Sequence, residues 1–136
     1  MSTETVPARQ DAILLVEDDV LVRMAISDFL RGCGYRVIEA GNADEALALL
    51  AHADIAIDVV LSDVEMPGSR DGFALATWIR KNRPGLDVIL AGSVPRSVNA
   101  ATQLCDQRAA SQPYEAQGLL DHIRRLIAAR GARRGR

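Results

Sequence analysis

A chain of 136 residues, 49% hydrophobic and 25% charged, has the length and composition of a single globular domain that buries its core without needing a metal or disulfide staple. Its formal net charge of −2 and pI near 5.6 supply no overall attraction to nucleic acid or an anionic membrane. The polar start MSTETVPARQ has no apolar signal core, and no stretch reaches the roughly 18 apolar residues of a membrane span, so a soluble, cytoplasmic chain is expected.

Residues 1–10 read as a disordered tail. AILLV (12–16) is short, apolar and ended by charge, as a buried parallel strand should be. Val22, Ala25, Ile26, Phe29 and Leu30 then recur at helical spacing up to GCGY, where glycines stop the helix. RVIEA (36–40) is a second strand, and Ala43, Ala46, Leu47 and Leu50 mark a second helix. IDVVLS (57–62) gives a third strand, followed by a helix marked by Phe73, Ala76 and Ile79 that closes before NRPG. DVILA (87–91) is a fourth strand, and Arg96 to Cys105 a weaker helix. RAAS (108–111) is a fifth strand only by its place in the alternation. Leu119, Leu120, Ile123, Leu126 and Ile127 form a last amphipathic helix, expected to end at Gly131 and leave 131–136 as a basic tail. Cys33 and Cys105 are far apart and lie in no C-x-x-C spacing, so two free, half-buried thiols are expected.

Strands alternating with helices predict one α/β domain over residues 11–130, a doubly wound, five-stranded parallel sheet with helices on both faces. In such sheets ligands gather outside the carboxyl ends of the strands. Glu17 and Asp18 leave the first strand at that edge, and Asp63, in LSDVEMPG, follows the third. If those strands are neighbours, three carboxylates converge. They would raise one another's pKa unless a hard divalent cation, best Mg²⁺, sits among them. Taken singly, Asp18 could be a capping acid and Glu17 a solvated one, while Asp19 reads as the cap of the first helix.

The acidic pair after the first strand and the Asp-x-x-Met-Pro-Gly run after the third resemble the receiver domain of two-component response regulators, the chemotaxis-type phosphoacceptor fold, over about residues 11–129. The resemblance implies a flavodoxin-like strand order 2-1-3-4-5. It implies that Asp63 accepts a phosphoryl group from a histidine kinase or phosphotransfer protein. It further implies that Glu17 and Asp18 bind Mg²⁺, with Asp63 and the backbone carbonyl of Glu65 as further ligands.

The chain also departs from the pattern. Ala91 stands at the usual Thr or Ser position, with Ser93 two residues on as a substitute hydroxyl. Gln112 replaces the usual Lys and carries no charge for a phosphoryl oxygen, and Ala109 replaces the usual aromatic. Pro113 and Tyr114 match the Pro-aromatic pair, and the resemblance suggests a cis Gln112–Pro113 bond. His52 and His122 read as solvated, and Trp78 as half-buried. Six Arg in the last thirteen residues read as a basic helix end and solvated tail, the other reading being a docking patch for an acidic partner or nucleic acid.

The expected function is that of a stand-alone receiver that signals by protein contact, with no enzymatic activity beyond Mg²⁺-dependent phosphorylation and dephosphorylation of itself. The alternative is a pseudo-receiver, a protein-binding module that works without phosphate. The acids favour the first reading, and Ala91, Ala109 and Gln112 favour the second.

Overall fold

The computed structural model describes residues 12–52, 54–68, 70–107 and 116–134. The elements are β1 (Ala12–Val16), α1 (Val20–Gly32), β2 (Arg36–Ala40), α2 (Ala43–Leu50), β3 (Val59–Asp63), α3 (Gly72–Asn82), β4 (Asp87–Ala91), α4 (Val94–Gln107) and α5 (Ala116–Arg134). The strands pair in parallel in the order β2-β1-β3-β4. The expected neighbours β1 and β3 are thus in contact. The fifth strand expected at 108–111 lies outside the described residues, and among those described the sheet has four strands rather than five.

β1 is buried along its whole length because it is central and covered on both faces. Its side chains alternate: Ile13 and Leu15 enter one core with Leu61, while Leu14 and Val16 enter the other with Val60. The first core is closed by α1 through Val22, Ile26 and Leu30, by α4 through Val98, Ala101 and Leu104, and by α5 through Leu119 and Ile123. The second is closed by α2 through Ala46 and Leu50 and by α3 through Leu75 and Ile79. Full burial of each such Leu or Ile stabilises the fold by about 1.5–3 kcal/mol.

Helix starts follow local chemistry. Asp19 caps α1 by accepting from the Leu21 and Val22 amides, Asn42 caps α2 through Glu45, and Asp71 caps α3 through Ala74. α1 ends at Cys33, and Gly34, with φ 101°, turns the chain into β2.

The side of the sheet taken by α4 is not what the alternation implies. Right-handed crossovers put α1 on one face and α2 and α3 on the other, because β1→β2 runs across the sheet opposite to β2→β3 and β3→β4. A helix leading from β4 to a strand outside it would join α2 and α3. α4 packs instead on the face of α1.

This placement overturns the expectation of free thiols. Cys33 and Cys105 form a disulfide, with Cα atoms 5.4 Å apart across 72 residues of sequence. Three smaller expectations also change. Phe73, expected on the buried stripe of α3, is 59% exposed, and Gly72, Leu75, Ala76 and Ile79 form that stripe. α4 runs a turn longer than expected. α5 continues through Gly131 to Arg134. Among the described residues no helix is long and apolar enough to cross a membrane.

Candidate functional site

The carboxyl ends of β1 and β3 lie side by side, with Val16 opposite Ser62. The chain leaves β1 into Glu17, which is held in three ways. Its amide donates to the Ala40 carbonyl at 3.0 Å, its carbonyl accepts from Arg23 Nη1 at 2.9 Å, and its carboxylate Oε2 accepts from the Asp19 amide at 3.1 Å. Glu17 is therefore buried, only 6% exposed, whereas Asp18 beside it is exposed. Arg23 is itself fixed by Glu39 at 3.2 Å.

Asp63 is the last residue of β3, and its strand partner on β4 is Ala91. The Val64 amide donates to the Ala91 carbonyl at 3.2 Å, and the amides of Val64 and Glu65 lie on the side of the Asp63 carboxylate, where they favour its charged form. The loop then returns to α3 so closely that the Gly72 amide donates to the Val64 carbonyl at 2.8 Å. A Cβ on Gly72 would overlap the Asp63 carbonyl oxygen and lie 3.0 Å from Val64 Cα, so only glycine lets α3 start here.

One carboxylate oxygen from each of Glu17, Asp18 and Asp63 lies within 4.8 Å of the other two. The electrostatic consequence is clear in Glu17, whose carboxyl is pushed up to about 7 by burial, with the Asp63 and Asp18 charges adding to the effect against the Asp19 amide. Burial also raises Asp63, with Asp18 and Glu65 adding to it and the Val64 and Glu65 amides opposing. This is a partly buried set of hard oxygen donors with too much negative charge for its volume, the donor chemistry that suits a small divalent cation.

Asp19 belongs to a different interaction. Its two carboxylate oxygens accept from both terminal guanidinium nitrogens of Arg130, at 3.1 and 2.8 Å, from the last part of α5. The Arg130 hydrogen bond, helped by the Leu21 and Val22 amides, holds the Asp19 carboxyl below its ordinary range.

The structure thus brings Glu17, Asp18 and Asp63 together as the sequence implies. Glu65 lies in the exposed loop after Asp63. Ala91 is beside Asp63 and buried, while Ser93 is exposed and its hydroxyl oxygen accepts from the Arg96 amide at 3.3 Å, which makes it a cap for α4. Gln112, Ala109, Pro113 and Tyr114 lie outside the described residues. His52 and His122 are exposed, and Trp78 is half-buried against the second core. The Asp71-Gly72 pair reads in the sequence as a loop signal above the sheet, but nothing there points to the close approach of Gly72 to Asp63, nor to Arg130, 111 residues from its partner.

The sequence profile of the family described as response regulator receiver domain matches residues 13–123. The chain is 40% identical over 116 residues to the response regulator protein FleR of Pseudomonas aeruginosa, covering 83% of this chain and 24% of that protein. It is 36% identical over 117 residues to the C4-dicarboxylate transport transcriptional regulatory protein DctD of Rhizobium meliloti, covering 84% of this chain and 25% of that protein. The chain thus spans about a quarter of the length of these two relatives. Among solved structures, the response regulator protein TrrA of Thermotoga maritima in complex with Mg²⁺-BeF is similar, at 27% identity with a TM-score of 0.58, covering 86% of this chain and 99% of that one. The acid cluster at the β1 and β3 ends and a profile match over most of the chain lead to one conclusion: this chain belongs to the response regulator receiver domain family of two-component signalling.

Proposed function

We propose that Asp63 is the phosphoacceptor and that a histidine kinase or a phosphotransfer protein is its donor, in a receiver unit spanning residues 11–130. The observation that carries this reading is the convergence of Glu17, Asp18 and Asp63 within 4.8 Å at one sheet edge. An Asp63 oxygen forms a bond to phosphorus while the bond from phosphorus to the donor imidazole nitrogen breaks, and the freed imidazole takes up a proton. The Val64 and Glu65 amides favour the charged form of the attacking carboxylate. Glu17, Asp18, Asp63 and the Glu65 carbonyl would hold Mg²⁺, whose charge would offset that of the transferring group. Output is by contact with a protein target.

The test is incubation with a small phosphodonor such as acetyl phosphate and Mg²⁺. A base-labile, acid-stable adduct that disappears in Asp63→Asn supports the reading; an adduct that survives that change moves the chemistry elsewhere. A second reading, a phosphate-independent binding module, is favoured by Ala91, which puts a methyl group where a hydroxyl would meet the phosphoryl group. Failure of acetyl phosphate and of purified phosphotransfer proteins alike to label the chain would select it.

A further inference from the structure

The Cys33–Cys105 bond ties the end of α1 to the end of α4, and nothing in the phosphoacceptor chemistry calls for it. A second contact is made at the same place: the Tyr35 hydroxyl, buried just past Gly34, donates to the Leu104 carbonyl. Both anchors fall on the final turn and a half of α4. The rest of its buried face is composed of small side chains, Ser97, Ala100, Ala101 and Thr102, with only Val98 and Leu104 large. A face of that kind gains little from leaving water, so the covalent bond has a large share in holding α4 where it lies. That place is the α1 side of the sheet, opposite to the side a right-handed exit from β4 would select.

We propose that the Cys33–Cys105 disulfide is a redox-controlled latch for α4. In the oxidised chain α4 is fastened to the end of α1; in the reduced chain its C-terminal half detaches while the sheet and the acid cluster persist. The reductant is a thiol of the glutathione class or a protein dithiol. Its thiolate attacks Cys33, which lies in the turn after α1, giving a mixed disulfide and the Cys105 thiolate, which takes up a proton. A second thiol attacks the mixed disulfide and releases Cys33 as a thiol, so two electrons and two protons pass to the protein and the reductant leaves as its disulfide. Both sulfurs are buried, so attack follows local opening of the last described turn of α4. Protein disulfides in reducing compartments are usually transient and sensing, which is the behaviour proposed. The inference does not depend on the role of Asp63.

The test uses the full chain, equilibrated in glutathione buffers of graded ratio, with thiol alkylation read by mass and backbone exchange read by amide. In oxidised buffer no thiol should be alkylated even after unfolding; in reduced buffer two should be. On reduction, amides in 98–107 and 30–35 should exchange at least about tenfold faster, while those of 12–16 and 59–63 change less than about twofold. Three results would overturn the proposal: two free thiols in oxidised buffer, a bond that survives a hundredfold or so excess of reduced over oxidised glutathione, or exchange in α4 that ignores reduction. Equal acceleration everywhere would overturn it too, because the bond would then support the whole fold. The double variant Cys33→Ser with Cys105→Ser should reproduce the exchange pattern of the reduced chain and lose all response to glutathione. A variant that still responds also counts against the latch.

Discussion

Asp63 and Ala91 are register partners at the carboxyl ends of β3 and β4, tied further by the 3.2 Å bond from the Val64 amide to the Ala91 carbonyl. Partners in register project to the same side of a sheet, so the side chain at 91 is the nearest that β4 offers to the Asp63 carboxylate. It is a methyl group. Ala91→Ser should add one hydroxyl there with little crowding, and a hydrogen bond to a charged acceptor contributes about 1.5–3 kcal/mol. Beryllofluoride in the presence of Mg²⁺ should then bind at least about tenfold more tightly, as read by amide shifts during titration. Unchanged affinity would mean that the hydroxyl at 91 does not reach the ligand. Ala91→Thr should gain less, because its extra methyl group enters a position that is only 2% exposed.

Glu17 makes the stability of the metal-free protein depend on pH. Its carboxyl titrates near 7 when folded and at its ordinary 4.5 when unfolded, so between those values the folded state holds a proton that the unfolded chain has released. Stability therefore falls as pH rises through that window, in total by on the order of 2–3 kcal/mol. Asp63, also raised, adds in the same direction at the acidic end. Glu17→Gln should flatten the fall and stabilise the protein at pH 8, measured by thermal unfolding at a series of pH values. Millimolar Mg²⁺ should likewise recover stability in the unaltered protein by binding the folded state. A Glu17→Gln profile as steep as the original would place the titrating group elsewhere.

Gly72 is a prediction about backbone room. Because a Cβ there would collide with the Asp63 carbonyl oxygen, Gly72→Ala should push the start of α3 away from the end of β3. Overpacking of this kind destabilises by about 1–3 kcal/mol. The amides of Val64 and Glu65 should shift, and Mg²⁺ affinity should fall with them. Denaturant unfolding gives the first quantity and a metal titration the second; an alanine variant equal to the parent in both would contradict the close approach.

Asp19 should show the opposite pH sign to Glu17. Arg130 holds its carboxyl low, so its contribution is present above the ordinary value of 3.8 and fades as pH falls through the lower folded value. Asp19→Ala should cost about 1 kcal/mol through loss of the α1 cap alone. Asp19→Asn keeps a capping oxygen and should lose less. Arg130→Gln should weaken stability at pH 7 and leave it unaltered once Asp19 is already Asn, a coupling that a double-mutant cycle reads directly.

The parts of this molecule that were legible in its sequence are those set by nearest neighbours along the chain. An apolar run ended by Glu17 and Asp18, or by Asp63, marks a buried strand and its exit, and helical spacing marks α1 because its stripe of Val22, Ala25, Ile26 and Leu30 is unbroken. The acid cluster needed one further step, the adjacency of β1 and β3. The Cys33–Cys105 pairing was not legible, since it depends on which face α4 takes, and the pattern of small residues along α4 fits either face. Gly131 misled because a glycine signals a helix end only when the backbone turns left-handed there, and α5 carries it through as an ordinary helical residue.

The disulfide also divides the molecule topologically. Cys33 to Cys105 is a closed covalent ring that contains β2, α2, β3, α3, β4 and most of α4, whereas β1 and α1 on one side and α5 on the other hang from it as two arms. The N-terminal arm is threaded back as the strand between β2 and β3, so it occupies a place between strands that belong to the ring, as do all the other strands among the described residues. Glu17 and Asp18 ride on the arm and Asp63 on the ring. A single backbone cut in an exposed ring loop, such as the one around Gly68, would leave both pieces linked through sulfur. The acid cluster would then outlast the cut for as long as the arm stayed threaded.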